Sequence, residues 1–227
     1  LDGVSATLTV LTSISVLTLI LPNYTSSILG PTYNSKQLMF VAIVSLILYG
    51  SFLLMQTVKH RDYFLPVNKE DKEETHEIPP SKKVTLISSI LLFISLVAVV
   101  LSAKALSPSV EAGIDAVGAP KSVVGIIIAM VVLFPEGLSA LNAARENRLQ
   151  ASRNFALGSA LASIGLTIPA VAFVSLYFGL PLTLGIDVKS TLLFVLSLFI
   201  LSLTLRTGKT TSIQGVVLLV IFSVYLF

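Results

Sequence analysis

The sequence predicts an all-α, polytopic helical membrane protein with about seven transmembrane helices. The chain has 227 residues, of which 54% are hydrophobic and only 12% are charged, and its mean hydropathy is +0.92. A soluble domain typically has about 25% charged residues, so most of this chain cannot face water. The apolar runs are long and do not alternate with polar positions, which favours helices over a transmembrane β-barrel.

Seven apolar segments are candidate spans: residues 4–21, 37–57, 84–103, 123–144, 155–178, 190–205 and 211–227. The first connection, Pro22 to Lys36, is rich in turn-forming residues and is predicted to be a loop. The third connection, Lys104 to Lys121, is predicted to contain a short helix, with Ser107 as its cap and Pro108 at its first position. The fifth connection, 179–187, is predicted to be a brief turn.

The only strongly polar segment runs from Lys59 to Lys83. It holds six of the twelve acidic residues and both histidines, His60 and His76. Its low apolar content is typical of a solvated linker between two membrane halves. A regulatory, cation-sensing loop is the alternative interpretation.

Basic residues predict the topology. Eleven fall on one side of the predicted spans (Lys59, Arg61, Lys69, Lys72, Lys82, Lys83, Arg145, Arg148, Arg153, Arg206, Lys209) and four on the other (Lys36, Lys104, Lys121, Lys189). The richer side is predicted to be cytoplasmic, which places the start of the chain inside. The net charge of +3 is thereby explained by topology and does not indicate nucleic-acid binding. Because the chain has no cysteine, thiol chemistry is excluded.

Glu136 is the only acidic residue that falls inside a predicted span, and no basic residue shares its depth. A carboxylate near the bilayer centre is costly unless it is paired, solvated or bound to a cation. Pro135 removes one backbone donor and frees a carbonyl oxygen, so a hard-cation environment is predicted here. The alternative is a protonated, structural glutamate bonded to a neighbouring helix.

The span 155–178 carries three hydroxyl side chains, Ser159, Ser163 and Thr167, at a spacing that places them along one face of a helix. Small residues on the same span, including Gly158 and Gly165, allow a neighbouring helix to approach closely. The alternative is that each hydroxyl only bonds a carbonyl of its own helix.

The segment Glu136 to Pro169 resembles the second alpha repeat of the cation/calcium exchanger superfamily, most closely the bacterial calcium (sodium)/proton antiporter branch. The resemblance rests on the membrane glutamate followed by Gly137, the Asn147-Arg148 turn, and Gly158-Ser159 twenty-two residues after Glu136. Weaker similarity extends over the whole chain. Phe134-Pro135 and Ala162 depart from the broader superfamily pattern and leave fewer side-chain oxygens.

The resemblance implies part of an inverted-repeat exchanger fold. Residues 1–57 would be the last two helices of the first repeat, 58–83 a polar cytoplasmic loop, and 84–227 the five helices of the second repeat. Because the chain begins directly before a span without an initiator Met, we interpret it as the C-terminal portion of a longer protein. The first repeat, with its partner glutamate, would lie in the missing N-terminal half or in a partner chain.

The implied function is antiport of Ca²⁺, with Na⁺ or K⁺ as alternatives, against protons across a bilayer, expected to be the bacterial inner membrane. Glu136 would bind cation and proton competitively and be the metal ligand, with Ser159, Ser163 and Thr167 as secondary oxygens. Pro135, Gly137 and Gly158 would break the helices at the site. No resident cofactor is expected. The alternative is a truncated, non-transporting membrane scaffold or half-transporter. An enzyme is not expected, because an intramembrane hydrolase needs a histidine or a second acid that no span contains.

Overall fold

The structure, a computed structural model, describes residues 2–26, 30–59, 81–116, 118, 122–206 and 211–226. Within these residues the regular structure is helical, and the only pairing of extended backbone is an isolated antiparallel bridge between Thr32 and Thr183. The predicted all-α fold class is therefore confirmed. The polar loop predicted at 59–83 lies outside the described residues except at its two ends.

The described residues form eight α-helices, some of which continue into short π-helical turns. The helices are α1 (Asp2–Ser15), α2 (Ser35–Leu54), α3 (Lys82–Ala116), α4 (Ser122–Arg145), α5 (Leu149–Ala162), α6 (Ile168–Phe178), α7 (Val188–Arg206) and α8 (Ser212–Leu226). The π-helical turns are Val16–Ile20 after α1, Met55–Lys59 after α2 and Ser163–Thr167 between α5 and α6.

Six stretches of the described residues are long and apolar enough to cross a bilayer: Gly3–Tyr24, Ser35–Lys59, Lys82–Ala116, Val123–Arg145, Leu149–Phe178 and Val188–Leu205. They correspond to the first six predicted spans. The seventh predicted span contains α8, an apolar helix of 15 residues. At about 1.5 Å per residue it is roughly 22 Å long, shorter than the ~30 Å hydrocarbon core of a bilayer.

The structure corrects the prediction for the third connection. Helix α3 runs from Lys82 to Ala116 and includes Pro108, so no new helix begins at that proline. The Ser107 hydroxyl donates to the Glu111 carboxylate (3.0 Å) and does not cap a helix start. Pro108 removes one intrahelical hydrogen bond, but the Ala and Leu residues around it favour the helix. At 35 residues, α3 is roughly 52 Å long and exceeds the thickness of the hydrocarbon core.

Contacts divide the chain into two compact units. The larger unit comprises residues 1–65 and 147–227 and contains α1, α2 and α5 to α8. The smaller unit comprises residues 66–146 and contains α3 and α4, which contact each other. Most described side chains of α3 and α4 are exposed within the smaller unit.

Two apolar clusters follow one another along the helices of the larger unit. The first cluster comprises Tyr33, Leu38, Val41, Ala42 and Ala172, with Leu17 and Leu176 packed against it. The second cluster comprises Leu11, Ile14, Phe52 and Leu161, with Leu48, Tyr49 and Ile164 packed against it. Helices α1 and α2 and the α5–α6 segment therefore pack against one another through both clusters. Inside a bilayer such a core is held mainly by close van der Waals packing.

Gly165 allows a close approach between α2 and the α5–α6 segment. A Cβ atom built on Gly165 would lie 2.9 Å from Cδ2 and 3.0 Å from Cγ of Tyr49. These distances are shorter than normal carbon–carbon contacts, so only glycine fits at this position without a shift of the ring. The Tyr49 ring thus packs directly on the backbone of the π-helical turn.

The loops after α1 and after α6 contact each other at one end of the larger unit. The Gly185 N–H donates to the Pro31 carbonyl (3.1 Å), and the Ile186 N–H donates to the Leu19 carbonyl (3.0 Å). The Asn23 amide donates to the Ile186 carbonyl (2.6 Å). In a membrane-spanning protein these two loops must lie on the same side of the bilayer. This agrees with the distribution of basic residues, which places both connections on one side.

Gly165→Ala is expected to destabilise the protein, because the added methyl group would collide with the Tyr49 ring. We expect the midpoint of thermal unfolding in detergent to fall by several degrees. Gly158→Ala is the matched control on the same segment, since nothing lies within 4 Å of its Cβ position. The control should leave the midpoint unchanged or raise it, since alanine favours a helix over glycine. Equal midpoints for both variants would contradict the close contact.

Because the chain has no cysteine, single cysteines report sidedness without background. Tyr24→Cys and Val188→Cys, both at strongly exposed positions, are expected to react with a membrane-impermeant thiol reagent only from outside sealed cells. Leu149→Cys, at the start of α5, should react only from the cytoplasmic side, where protease should also cut the 59–83 loop. Labelling of Tyr24→Cys and Val188→Cys from opposite sides would contradict the loop contacts, and labelling of both from inside would reverse the orientation.

Candidate functional site

Glu136 lies in the middle of α4 in the smaller unit, with its side chain exposed. Its neighbours Phe134 and Leu138 are also exposed, at 63% and 42%. A membrane-embedded carboxylate cannot remain charged against lipid without a cost of about 2.5–3.5 kcal/mol on insertion scales. This face of α4 therefore requires a polar or ionic partner when the carboxylate is ionised.

The helix breaks expected at Pro135 and Gly137 are not present. Helix α4 is continuous from Ser122 to Arg145 and contains Pro135 in its interior. The Ser139 hydroxyl donates to the Pro135 carbonyl (2.9 Å), so that oxygen already has a side-chain donor. Gly137 costs only about 1 kcal/mol in a helix, and the long apolar flanks outweigh it. One part of the prediction still applies. The Val131 carbonyl, four residues before Pro135, has no backbone N–H donor at that position, because proline has no N–H.

Asn147 ends the turn that follows α4. Its φ is +60°, and it is the only described residue other than glycine with a positive φ. Asparagine tolerates this left-handed conformation better than most residues. The Glu146 N–H still donates to the Asn142 carbonyl (3.0 Å). The left-handed backbone conformation thus explains why asparagine suits position 147 of the Asn147-Arg148 turn.

The hydroxyl residues lie on the outward side of the α5–α6 segment. Ser159 is partly buried, whereas Ser163 and Thr167 are exposed. The face that packs into the larger unit instead carries Leu161 and Gly165, which are buried. The predicted stripe is therefore on a face that the larger unit itself leaves uncovered.

The hydroxyls of this stripe do not follow the back-bonding pattern seen elsewhere. Many serine and threonine side chains donate to the carbonyl four residues earlier, for example Ser197 and Thr204. Among the residues that the structure describes, Ser159, Ser163 and Thr167 make no such bond. This observation disfavours the interpretation that the stripe only satisfies its own helix.

The irregularity predicted at Gly158 occurs five residues later. Helix α5 is continuous through Gly158 to Ala162, and the π-helical turn covers Ser163 to Thr167. Alanine and leucine residues around Gly158 keep that region helical, whereas Pro169 has no N–H and disturbs the turn before it. π-Helical turns are frequent at functional sites. The sequence signal that could have located this turn is Pro169, two residues beyond its end.

The described residues contain no group of three His, Cys, Asp or Glu side chains that could hold a metal ion. Glu136 belongs to the smaller unit and the three hydroxyls to the larger one. A site that combines Glu136 with the stripe therefore stays a prediction. The contact of Tyr49 with Gly165 could not be predicted from the sequence, because it depends on packing between distant segments.

The family model described as "Sodium/calcium exchanger protein" matches residues 87–227. This range is more than half of the chain, and it includes Glu136, the Asn147 turn and the hydroxyl stripe. The chain belongs to the sodium/calcium exchanger family. The resemblance stated from the motif is thereby confirmed, and the protein is an integral membrane member of that family. No solved structure shows significant similarity to it.

Several curated relatives align with the whole exchanger chain. A Sinorhizobium fredii protein named "Putative ionic transporter y4hA" is 44% identical over 229 residues, which cover 100% of this chain and 61% of the relative. The sodium-potassium/proton antiporter ChaA of Escherichia coli is 31% identical, over 100% of this chain and 62% of the relative. A vacuolar calcium ion transporter of Schizosaccharomyces pombe is 25% identical, over 97% of this chain and 54% of the relative. The chain thus spans about three-fifths of the length of the first two.

Proposed function

We propose that this exchanger chain forms part of a secondary antiporter that moves a cation across a bacterial inner membrane in exchange for protons. Ca²⁺ is the proposed cation, with Na⁺ or K⁺ as alternatives, in line with the ions named for its relatives. The observation that carries the proposal is Glu136, the single acidic residue within a span of an exchanger-family chain. Cation and proton are cargo here, and no resident cofactor is proposed.

Glu136 would couple the two ions because both compete for the same carboxylate oxygens. An ionised carboxylate binds a cation, and a protonated one does not. In a low-dielectric site the charged form without a cation is unfavourable, whereas a bound cation stabilises it. The empty site therefore returns across the membrane protonated, which makes cation transport obligatorily coupled to proton transport in the opposite direction.

The hydroxyls of Ser159, Ser163 and Thr167 are proposed to supply neutral oxygens to the same pathway. Their support is the uncovered face and the absence of back-bonding among the described residues. The π-helical turn Ser163–Thr167 is the segment in which a small change of helical register would move two of these hydroxyls. Transporters of inverted-repeat type commonly place such irregular helix segments at a midplane site.

The complete site is proposed to need residues beyond this sequence. Ca²⁺ normally takes roughly six to eight oxygen ligands, and Glu136 supplies a single carboxylate. The relatives are longer than this chain, and we propose that a first repeat, either in the missing N-terminal half or in a partner chain, supplies the second acid. Residues 1–57 would then end that repeat, 58–83 would connect the halves, and 84–227 would form the second repeat. The lack of a second intramembrane acid equally fits a half-transporter or scaffold.

Glu136→Gln in the full-length protein is expected to abolish proton-coupled cation flux, because glutamine keeps the size and hydrogen bonding of the side chain but cannot exchange a proton. The measurement is Ca²⁺ uptake into everted vesicles with an imposed pH gradient, and expression and thermal stability should match the parent protein. Glu146→Gln, ten residues further along at the end of the helix, is the matched control and should retain flux. Normal flux in Glu136→Gln would remove this residue from the mechanism.

The 227-residue chain by itself is expected not to accumulate Ca²⁺ against a proton gradient, because it contains only one of the two acids that we propose. Purified chain in proteoliposomes should be compared with the chain preceded by its natural upstream segment. Flux only in the longer protein would separate a half-transporter from a scaffold. Robust uptake by the short chain would show that a single carboxylate is sufficient.

A further inference from the structure

Two serine hydroxyls in the larger unit are completely buried and have no hydrogen-bond partner among the described residues. They are Ser15 at the end of α1 and Ser45 in α2, each with 0% of its surface exposed. Leaving a buried hydroxyl unpaired costs free energy, and such groups in native proteins usually bond to protein or to ordered water. The two hydroxyls therefore require a hydrogen-bond partner.

Both hydroxyls lie at the level between the two apolar clusters of the larger unit. On α1, Ser15 is adjacent to Ile14 of the second cluster and two residues before Leu17, which packs on the first cluster. On α2, Ser45 lies between Ala42 of the first cluster and Tyr49 at the second. A polar layer thus separates the two clusters.

The α5–α6 segment contributes Pro169 to the same layer. Tyr49 of α2 packs on Gly165, and Ala42, seven residues earlier, shares a cluster with Ala172, seven residues later. The two segments are therefore antiparallel, and this register places Ser45 opposite Pro169. Pro169, like both serines, is fully buried.

Pro169 leaves a carbonyl of the preceding π-helical turn without its backbone donor. It follows the π-helical turn Ser163–Thr167 by two residues, and hydrogen bonds in such a turn join residues five apart. Because proline has no N–H, the carbonyl of Ile164 loses the donor that the π register would supply. Inside a bilayer, a carbonyl in this state needs another donor.

The larger unit repeats the same geometry in α1, where the donor is visible. Pro22 follows the π-helical turn Val16–Ile20 by two residues, so the carbonyl five residues before it, that of Leu17, lacks a backbone donor. The Tyr33 hydroxyl donates to this oxygen. Tyrosine is already protonated at physiological pH, and burial raises the pKa of Tyr33 further, to about 12, so this hydroxyl carries the proton that it donates. A side-chain hydroxyl thus supplies the missing donor at the π-helical turn Val16–Ile20.

We propose that Ser15, Ser45 and the Ile164 carbonyl bind one buried water molecule, which donates to the carbonyl opened by Pro169. At the first π-helical turn, Tyr33 reaches the open carbonyl directly. At the second, the serines make no direct hydrogen bond in the structure, so a bridging molecule is needed. Three polar partners are typical of a buried water. The water would hold the π-helical turn, with Ser163 and Thr167 on its outer side, against α1 and α2. This inference does not depend on the transport activity.

The first test removes the serine hydroxyls in the full-length protein. Ser15→Ala, Ser45→Ala and the double variant are compared by thermal unfolding in detergent. Each single variant is expected to lower the midpoint by about 2–4 °C, and the double variant by less than the sum, because the two hydroxyls share one water. Ser13→Ala is the matched control on α1, since its hydroxyl already donates to the Thr9 carbonyl (2.8 Å), and should change the midpoint less.

A midpoint of thermal unfolding that stays the same or rises in the single variants would overturn the proposal. If the hydroxyls are truly unpaired, removing either one relieves a buried polar group and leaves the midpoint unchanged or higher. Additive losses would likewise exclude a shared water.

A second test needs no variant and applies even where a substitution prevents folding. Radiolytic hydroxyl-radical labelling with mass spectrometry modifies side chains beside bound water. After correction for intrinsic reactivity, we expect Pro169 to be modified well above Leu161, which is equally buried but lies in the second cluster. Equal, background-level modification of both residues would show that no water is bound beside Pro169.

Discussion

In a bilayer, each backbone N–H and C=O group must find its partner inside the protein, and this requirement governs the structure of this exchanger chain. Water cannot replace a lost hydrogen bond there, so continuous helices are the favoured form of the chain. Many hydroxyl side chains follow the same rule. Ser139, Ser197 and Thr204 each donate to a carbonyl one turn earlier, so that their own hydroxyl groups are satisfied inside the helix.

Prolines are the points at which this requirement is locally not met by the backbone, and the helices respond in different ways. At Pro135 the helix continues. At Pro22 and Pro169 a π-helical turn precedes the proline. In the first case Tyr33 reaches across from the next loop to the open carbonyl. In the second, the buried hydroxyls of Ser15 and Ser45 have no hydrogen-bond partner among the described residues, which is the basis for proposing a bound water.

The two halves of the proposed ion site have different structural support. The hydroxyl stripe belongs to the α5–α6 segment, whose inner face is held by Leu161, Gly165 and the Tyr49 ring. Its outer face is uncovered in the larger unit. Glu136 is on a helix whose apolar neighbours are also uncovered within the smaller unit.

The sequence by itself determined the membrane class, six of the helical stretches, the position of Glu136 and the family, because each depends on local hydropathy or on a contiguous motif. It was wrong at Pro108, Pro135, Gly137 and Gly158. At these positions helix-forming neighbours outweigh a single unfavourable residue. A local sequence pattern does not show which of the two free-energy contributions is larger.

Only the tertiary structure decided where the α5–α6 segment is irregular, which residue Gly165 accommodates, and which loops share one end. It also placed Ser15 and Ser45, unremarkable in the sequence, in the layer between the two apolar clusters. These features join residues more than a hundred positions apart, such as Tyr49 with Gly165 and Asn23 with Ile186. Hydropathy and spacing describe one segment at a time, whereas these contacts arise from the close packing of several segments against one another.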